Sequence, residues 1–152
     1  MRKQLAIMGI CVLFITLCFS GCEKIGMKSD HITVNIMAAV FVKIIDANNT
    51  IMNISVDGIS VTIKMTKNRG DQLAFERIVQ NGLCQATGVF DLYKDQFIEC
   101  NATVQSGYNN YYPVGPGNAM LTWETVNGSA NSGNMYNWYP HIFIYMKNGS
   151  AI

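Results

Sequence analysis

The sequence predicts an all-β sandwich, and three observations carry that prediction. Apolar residues recur with period two in short segments, Gly and Asn turn signals punctuate the chain every 8 to 15 residues, and no segment repeats with helical period. At 152 residues with 14% charged and 49% hydrophobic residues, the material suffices for one domain. Its formal net charge of +1 supplies no electrostatic footprint for nucleic acid.

The first strand begins at His31. Ile32, Val34, Ile36, Ala38, Val40, Val42 and Ile44 alternate with a set that starts polar at Thr33 and Asn35 and turns apolar from Met37 to Phe41. So many β-branched residues favour a strand over a helix, and the two-sided apolar middle predicts that both faces are covered. Asp46 to Thr50 is a polar turn. Ile51 to Val56 and Ile59 to Thr66 flank Asp57-Gly58, a dipeptide suited to a tight hairpin because both central residues of a type I′ turn need positive φ. Leu73 to Gln80, Leu83 to Phe90, Gln96 to Gln105, Ala119 to Val126 and Trp138 to Lys147 complete seven or eight strands, with Asn81-Gly82 as another turn. Trp123, in phase with Leu121, reads as a core residue.

Ahead of this domain lies a segment that must be set aside before folding is considered. Arg2 and Lys3 precede an uncharged run from Leu5 to Phe19, which ends in Phe19-Ser20-Gly21-Cys22. The run has the length of a signal-peptide core and is short of the roughly 20 residues a spanning helix needs. Phe19 to Cys22 resembles the lipobox of prokaryotic surface lipoproteins. That resemblance implies a signal helix over residues 1–21, a lipid on Cys22 as the first mature residue, a tether over 22–30, and a domain over 31–152 at the outer face of the cell membrane. The alternative is an uncleaved membrane anchor.

Once Cys11, Cys18 and Cys22 are assigned to the signal and the lipid, Cys84 and Cys100 remain. An even pair in an exported chain points to a disulfide. Two buried free thiols are the alternative. Asparagine makes the surface polar, and Asn48, Asn53, Asn101, Asn127 and Asn148 each head a glycosylation triplet.

The run Thr33 to Ile45, the turn Asp46-Ala47-Asn48-Asn49, the alternation from Val61 to Met65, Asn81-Gly82, and Tyr93 through Phe97 to Ala102 resemble the bacterial immunoglobulin-like and carboxypeptidase-regulatory (transthyretin-like) domains. The resemblance covers roughly residues 32 to 105. It implies an antiparallel sandwich that serves as a non-catalytic module for spacing, display or adhesion.

Candidate chemistry is sparse. His31 and His141 are far apart in sequence and lack ligand spacing with Cys or carboxylates, so neither a metal nor another cofactor is expected. Asp91 and Asp95 bracket Tyr93 and Lys94 as turn aspartates. Met120 and Met146 near His141 read as core fillers before they read as soft-metal ligands. After Ser106, Tyr108, Tyr111 and Tyr112, then Trp138 and Tyr139, sit among Asn and Gly, the composition of adaptable binding loops. Should Ile142, Ile144 and Met146 face the core, His141, Phe143 and Tyr145 form an aromatic stripe on the other side. The expected function is therefore a non-enzymatic surface lipoprotein, structural or adhesive, with protein partners. The alternative is a glycan-binding module that uses the Tyr and Trp groups.

Mass spectrometry of the native N-terminus checks the processing reading. A lipid-modified Cys22 at the start of the chain is the expected result, and an intact 1–21 segment on the mature protein would defeat it.

Overall fold

The computed structural model describes residues 30–129 and 134–149, so the signal segment, Cys22 and nearly all of the tether lie outside the described residues. Among the described residues nine strands form two sheets. They are β1 (His31–Ile45), β2 (Ser60–Lys67), β3 (Gln72–Ile78), β4 (Leu83–Tyr93), β5 (Phe97–Val104), β6 (Tyr111–Pro113), β7 (Gly117–Thr122), β8 (Met135–Trp138) and β9 (His141–Asn148). Sheet A runs β4-β1-β9-β6 with β8 also on β1, and sheet B runs β3-β2-β5-β7.

The long strand β1 is the spine. Its even residues from Ile32 to Ile44 are buried, as the alternation predicts, and meet Val61, Ile63 and Met65 of β2 and Ile98 and Cys100 of β5 in one core. Each fully buried Ile, Val or Met side chain contributes about 1.5–3 kcal/mol by leaving water. On one edge β1 pairs antiparallel with β4, from His31↔Tyr93 to Phe41↔Leu83. On the other it pairs parallel with β8 and then β9. Ile36↔Trp138 and Ala39↔His141 share one offset, so β8 and β9 continue a single line of pairing across Tyr139-Pro140. The break falls where Pro140 has no N–H to donate, although its carbonyl still accepts from the Ala39 N–H at 3.0 Å.

This parallel seam corrects the expectation of a wholly antiparallel sandwich. Parallel neighbours need a long crossover. Here the whole domain between β1 and β8 provides it. The Asp57-Gly58 hairpin is also corrected: Gly58 has φ 80°, but Ile51 to Val56 is not a strand and makes only an isolated bridge, Ile45↔Ile51. β1 belongs to sheet A and β2 to sheet B, so the chain must cross between layers here, whereas a hairpin keeps both arms in one sheet. Asp57 instead accepts the Asn81 N–H through its carboxylate, and Val56 is buried. Asn81-Gly82 does form the tight turn, with φ 52° and 72° and reciprocal hydrogen bonds between Gln80 and Leu83 at 3.0 Å.

A further correction concerns Ala119 to Val126. The strand stops at Thr122, whose side chain accepts from the Thr125 N–H and starts the short helix α1 (Trp123–Asn127). Trp123 is partly buried against the core from that helix.

Cys84 and Cys100 both point inward, as their strand phase predicts, but they are free thiols and no disulfide joins them. Cys84 lies in sheet A opposite Val40, and Cys100 lies in sheet B opposite Met65. The Met65 Sδ lies 2.8 Å from where a Cβ on Gly88 would stand, which sets the Met65 level four residues along β4 from Cys84. The two cysteines sit on facing sheets, which pack about 10 Å apart, beyond the roughly 7 Å Cα separation a disulfide tolerates. Burial pushes both thiols above their ordinary pKa, Cys100 up to about 12 with Glu99 adding to the shift, while at Cys84 the Arg77 charge opposes the effect of burial.

Two outcomes follow for stability. Alkylation at neutral pH, read by peptide mass spectrometry, should spare Cys84 and Cys100 until the protein unfolds, and reductant should leave Tm unchanged. Because the raised thiol pKa favours the folded state only while the thiols stay protonated, stability from this source is intact below the unfolded thiol pKa. It is lost as pH climbs toward 12, so denaturant midpoints should fall through that alkaline window. Gly117 tests the seam between the sheets: a Cβ there would stand 2.5 Å from Ile142 Cγ2 and 2.6 Å from the Phe143 carbonyl oxygen. Gly117→Ala should cost about 1–3 kcal/mol in chemical denaturation, since backbone cannot yield as a side chain can.

Candidate functional site

The outward face of sheet A carries the concentration of exposed aromatic groups. It follows from strand phase: with Ile142, Ile144 and Met146 fully buried, His141, Phe143 and Tyr145 must point away from the core. The register sets Phe143 beside Phe41 and Tyr145 beside Lys43, so the β9 stripe joins the apolar odd residues of β1. Phe41 stacks on Phe143 with ring centroids 5.2 Å apart and planes 19° from parallel, and Phe143 stacks on Tyr145 at 6.4 Å and 12°. His141 meets Phe41 edge-on at 5.5 Å. Among the described residues no second layer covers this row: Phe143 is 44% exposed and Tyr145 39%.

Farther along the same face the surface dips. Asn35, Met37, Thr87, Val89, Asn137 and Tyr139 rim an open hollow of about 290 Å³. Met37, Val89 and Tyr139 are 45%, 59% and 60% exposed. The Asn35 side-chain amide donates to Asn137 at 3.0 Å across the β1/β8 seam. Charged groups occur only toward the two ends of the face. Asp91 sits beside Thr33, while Lys43 and Lys147 stand at the far end of β1 and β9.

The five residues expected to bind do not share one surface. Tyr108, Tyr111 and Trp138 pack against the core, which corrects their reading as a contact surface. Tyr112 is half-buried with Gly107 against its ring. Of the five, Tyr139 opens onto the outer face of sheet A, and Tyr112, paired with the outward Lys147, turns to the same face at its far end. The apolar Met37 to Phe41 stretch held the stronger signal. It was read as evidence of cover on both sides, and strand phase alone cannot say which side is bare.

The remaining polar clusters are structural in geometry. His31 Nε2 lies 3.9 Å from Asp91 Oδ1, and the Thr33 hydroxyl donates to the same carboxylate oxygen at 2.8 Å. The carboxylate thus stands between hydroxyl and imidazole. In a nucleophilic triad the imidazole must touch the hydroxyl to take its proton. Lys67, nearly buried, pairs with Asp71 at 2.7 Å and donates to the Asp91 carbonyl at 3.2 Å. Asp95 occupies a turn with φ 61°. Met120 is exposed on sheet B, Met146 is buried and His141 faces outward, so these three do not converge on a metal. Of the glycosylation asparagines, Asn48, Asn53, Asn127 and Asn148 are exposed. Asn101 is half-buried and donates to Glu99 at 2.9 Å.

No protein-family model and no characterised protein sequence matches the chain. Among solved structures, the C-terminal fragment of pilus adhesin SpaC from Lactobacillus rhamnosus GG is similar at 11% identity and a TM-score of 0.34, over 80% of this chain and 47% of that one. This chain therefore spans about half the length of that fragment, and a superposition so distant carries nothing about ligand or partner.

Proposed function

We propose that the protein is a non-catalytic surface module, held at the membrane through lipid on Cys22, whose structural or adhesive contacts are made by the outer face of sheet A. The observation that carries this reading is the uncovered row Phe41, Phe143 and Tyr145. Burying such rings against a partner releases water from apolar area, and this nearly neutral chain has little long-range electrostatic attraction to offer instead.

The geometry favours a protein surface over a sugar. Stacking under a carbohydrate needs a ring face laid open to the ligand, and Phe143 already stacks with both Phe41 and Tyr145. A row of mutually stacked rings offers apolar area and grooves between rings that suit interdigitating side chains. Trp138, the best stacking ring in the sequence, packs against the core.

Attachment of cells or beads displaying the full chain tests the reading. Phe143→Asp should weaken attachment about thirtyfold, equivalent to about 2 kcal/mol for a central anchor, while leaving the melting temperature within a few degrees. Trp138→Ala should do the reverse, lowering stability by about 2 kcal/mol through lost core packing. Attachment indifferent to Phe143→Asp would overturn the assignment of this face.

A further inference from the structure

We infer that the outer face of sheet A pairs with the same face of a second copy of this chain, the two sheets packed face to face with their strands antiparallel. The inference rests on the contact-face reading above and names the partner. Its basis is self-complementarity in two independent features, shape and charge, which place the symmetry axis at points within one residue of each other.

Shape is the first. Positions on the face can be named by the β1 residue at the same height. The aromatic ridge of Phe41, Phe143 and Tyr145 stands at the heights of residues 41 to 43. The hollow rimmed by Met37, Thr87, Val89 and Asn137 stands at the heights of residues 35 to 37. A two-fold axis lying in the interface and perpendicular to the strands reverses height and preserves strand order. Each ridge, centred on β1 and β9, then descends over the hollow that β4, β1 and β8 of the second copy enclose, with Phe143 against Tyr139 of its rim at the height of residue 37. The axis that does this falls near residue 39, midway between ridge and hollow. Ala39, the small residue of this face, occupies that place and lets the two sheets approach.

Charge is the second. Asp91 stands at the height of Thr33, and Lys43 stands ten residues farther along β1. The midpoint of that pair is residue 38, one residue from the axis that shape requires. The same rotation brings Lys43 of each copy near Asp91 of the other, offset by one strand spacing, about 5 Å, sideways and by two residues, about 7 Å, along the strand, a gap that the lysine and aspartate side chains span together. Lys43 is half-buried and has no carboxylate within salt-bridge distance among the described residues. An axis along the strands would instead set Asp91 against Asp91 and Lys43 against Lys43, which like-charge repulsion disfavours.

The area is adequate. Eleven residues of strand by three strands give a face of about 35 by 15 Å, roughly 500 Å² per copy and about 1,000 Å² for the pair, the lower bound of a specific interface.

Zero-length cross-linking of the native full chain tests the arrangement. Unlabelled and 15N-labelled protein are mixed in phospholipid vesicles, treated with a water-soluble carbodiimide and digested for mass spectrometry. Within one chain Lys43 and Asp91 are about 34 Å apart along β1, so a direct amide between them can form only between copies. The expected product is a Lys43–Asp91 linked peptide pair carrying one label of each kind. Lys64, on the outward face of sheet B, should give no comparable link to Asp91. Lys43→Glu should lower self-association at least tenfold, and adding Asp91→Lys should restore it.

Absence of the Lys43–Asp91 link, an equal yield from Lys64, or self-association unchanged by Lys43→Glu would each overturn the pairing. A chain that stays monomeric yet attaches to other surfaces through Phe143 would overturn the pairing and leave the contact-face reading intact. Attachment that ignores Phe143 removes that reading whatever the oligomeric state.

Discussion

The seating of β1 is the constraint on which the rest of the structure depends. A fifteen-residue strand with seven alternate apolar side chains can bury them only if something covers its whole length, and sheet B supplies that cover. Its backbone must also find partners along both edges, since a buried N–H or C=O without a hydrogen bond costs about as much as the bond would return. β4 satisfies one edge, and β8 with β9 the other. The parallel seam is thus the consequence of an early strand that only the last strands of the domain can complete. Native structure then requires both ends of the domain together, which raises the loop-closure cost paid before those contacts form.

The same strand makes the proposed contact face. Period two fixes that whatever is odd on β1 lies opposite the core, and the pairing with β9 then lines Phe41 up with Phe143 and Lys43 with Tyr145. A slip of one residue would turn Ile142 and Ile144 outward and drive His141 and Phe143 into the core. Core burial therefore holds the aromatic row in place, and the face needs no loop to position it.

Much of the fold was legible because burial enforces period two. The even residues of β1, the inward phase of Ile142, Ile144 and Met146, and the Asn81-Gly82 turn all follow from local pattern. What was not legible depends on which sheet a strand joins. Asp57-Gly58 has hairpin chemistry yet sits in a crossover, because turn residues report backbone curvature and not the layer of the next strand. The disulfide failed for the same reason: phase turns both cysteines inward, but only the sheet assignment fixes their heights. Trp138 and Tyr111 were placed at a binding surface by their company of Asn and Gly, a signal of composition, whereas their neighbours in space are core residues. The outer row was half legible. Phase found His141, Phe143 and Tyr145, while Phe41 and Met37 became part of the face only through pairing across strands.

How the molecule treats its edges bears on why that face stays open. The free edge of β4 is a row of backbone groups that another strand could extend. Two cations from sheet B reach across to it: the Arg77 Nε donates to the Gln85 carbonyl at 3.2 Å and the Lys67 Nζ to the Asp91 carbonyl. An incoming strand would have to displace both, and would meet positive charge at each end of the edge. Sideways growth of the sheet, the route to aggregation, is thereby obstructed, while on the outer face Lys43, Lys147 and Asp91 lie toward the ends and the centre carries Phe41, Phe143 and His141 beside Gln85 and Asn35. Were the exposed rings an incidental defect in the surface, edge protection would be of little use, since a bare apolar face aggregates too. Protection of the edge together with charge at the margins of the face fits the face-to-face pairing inferred above, a geometry that closes on itself after two copies.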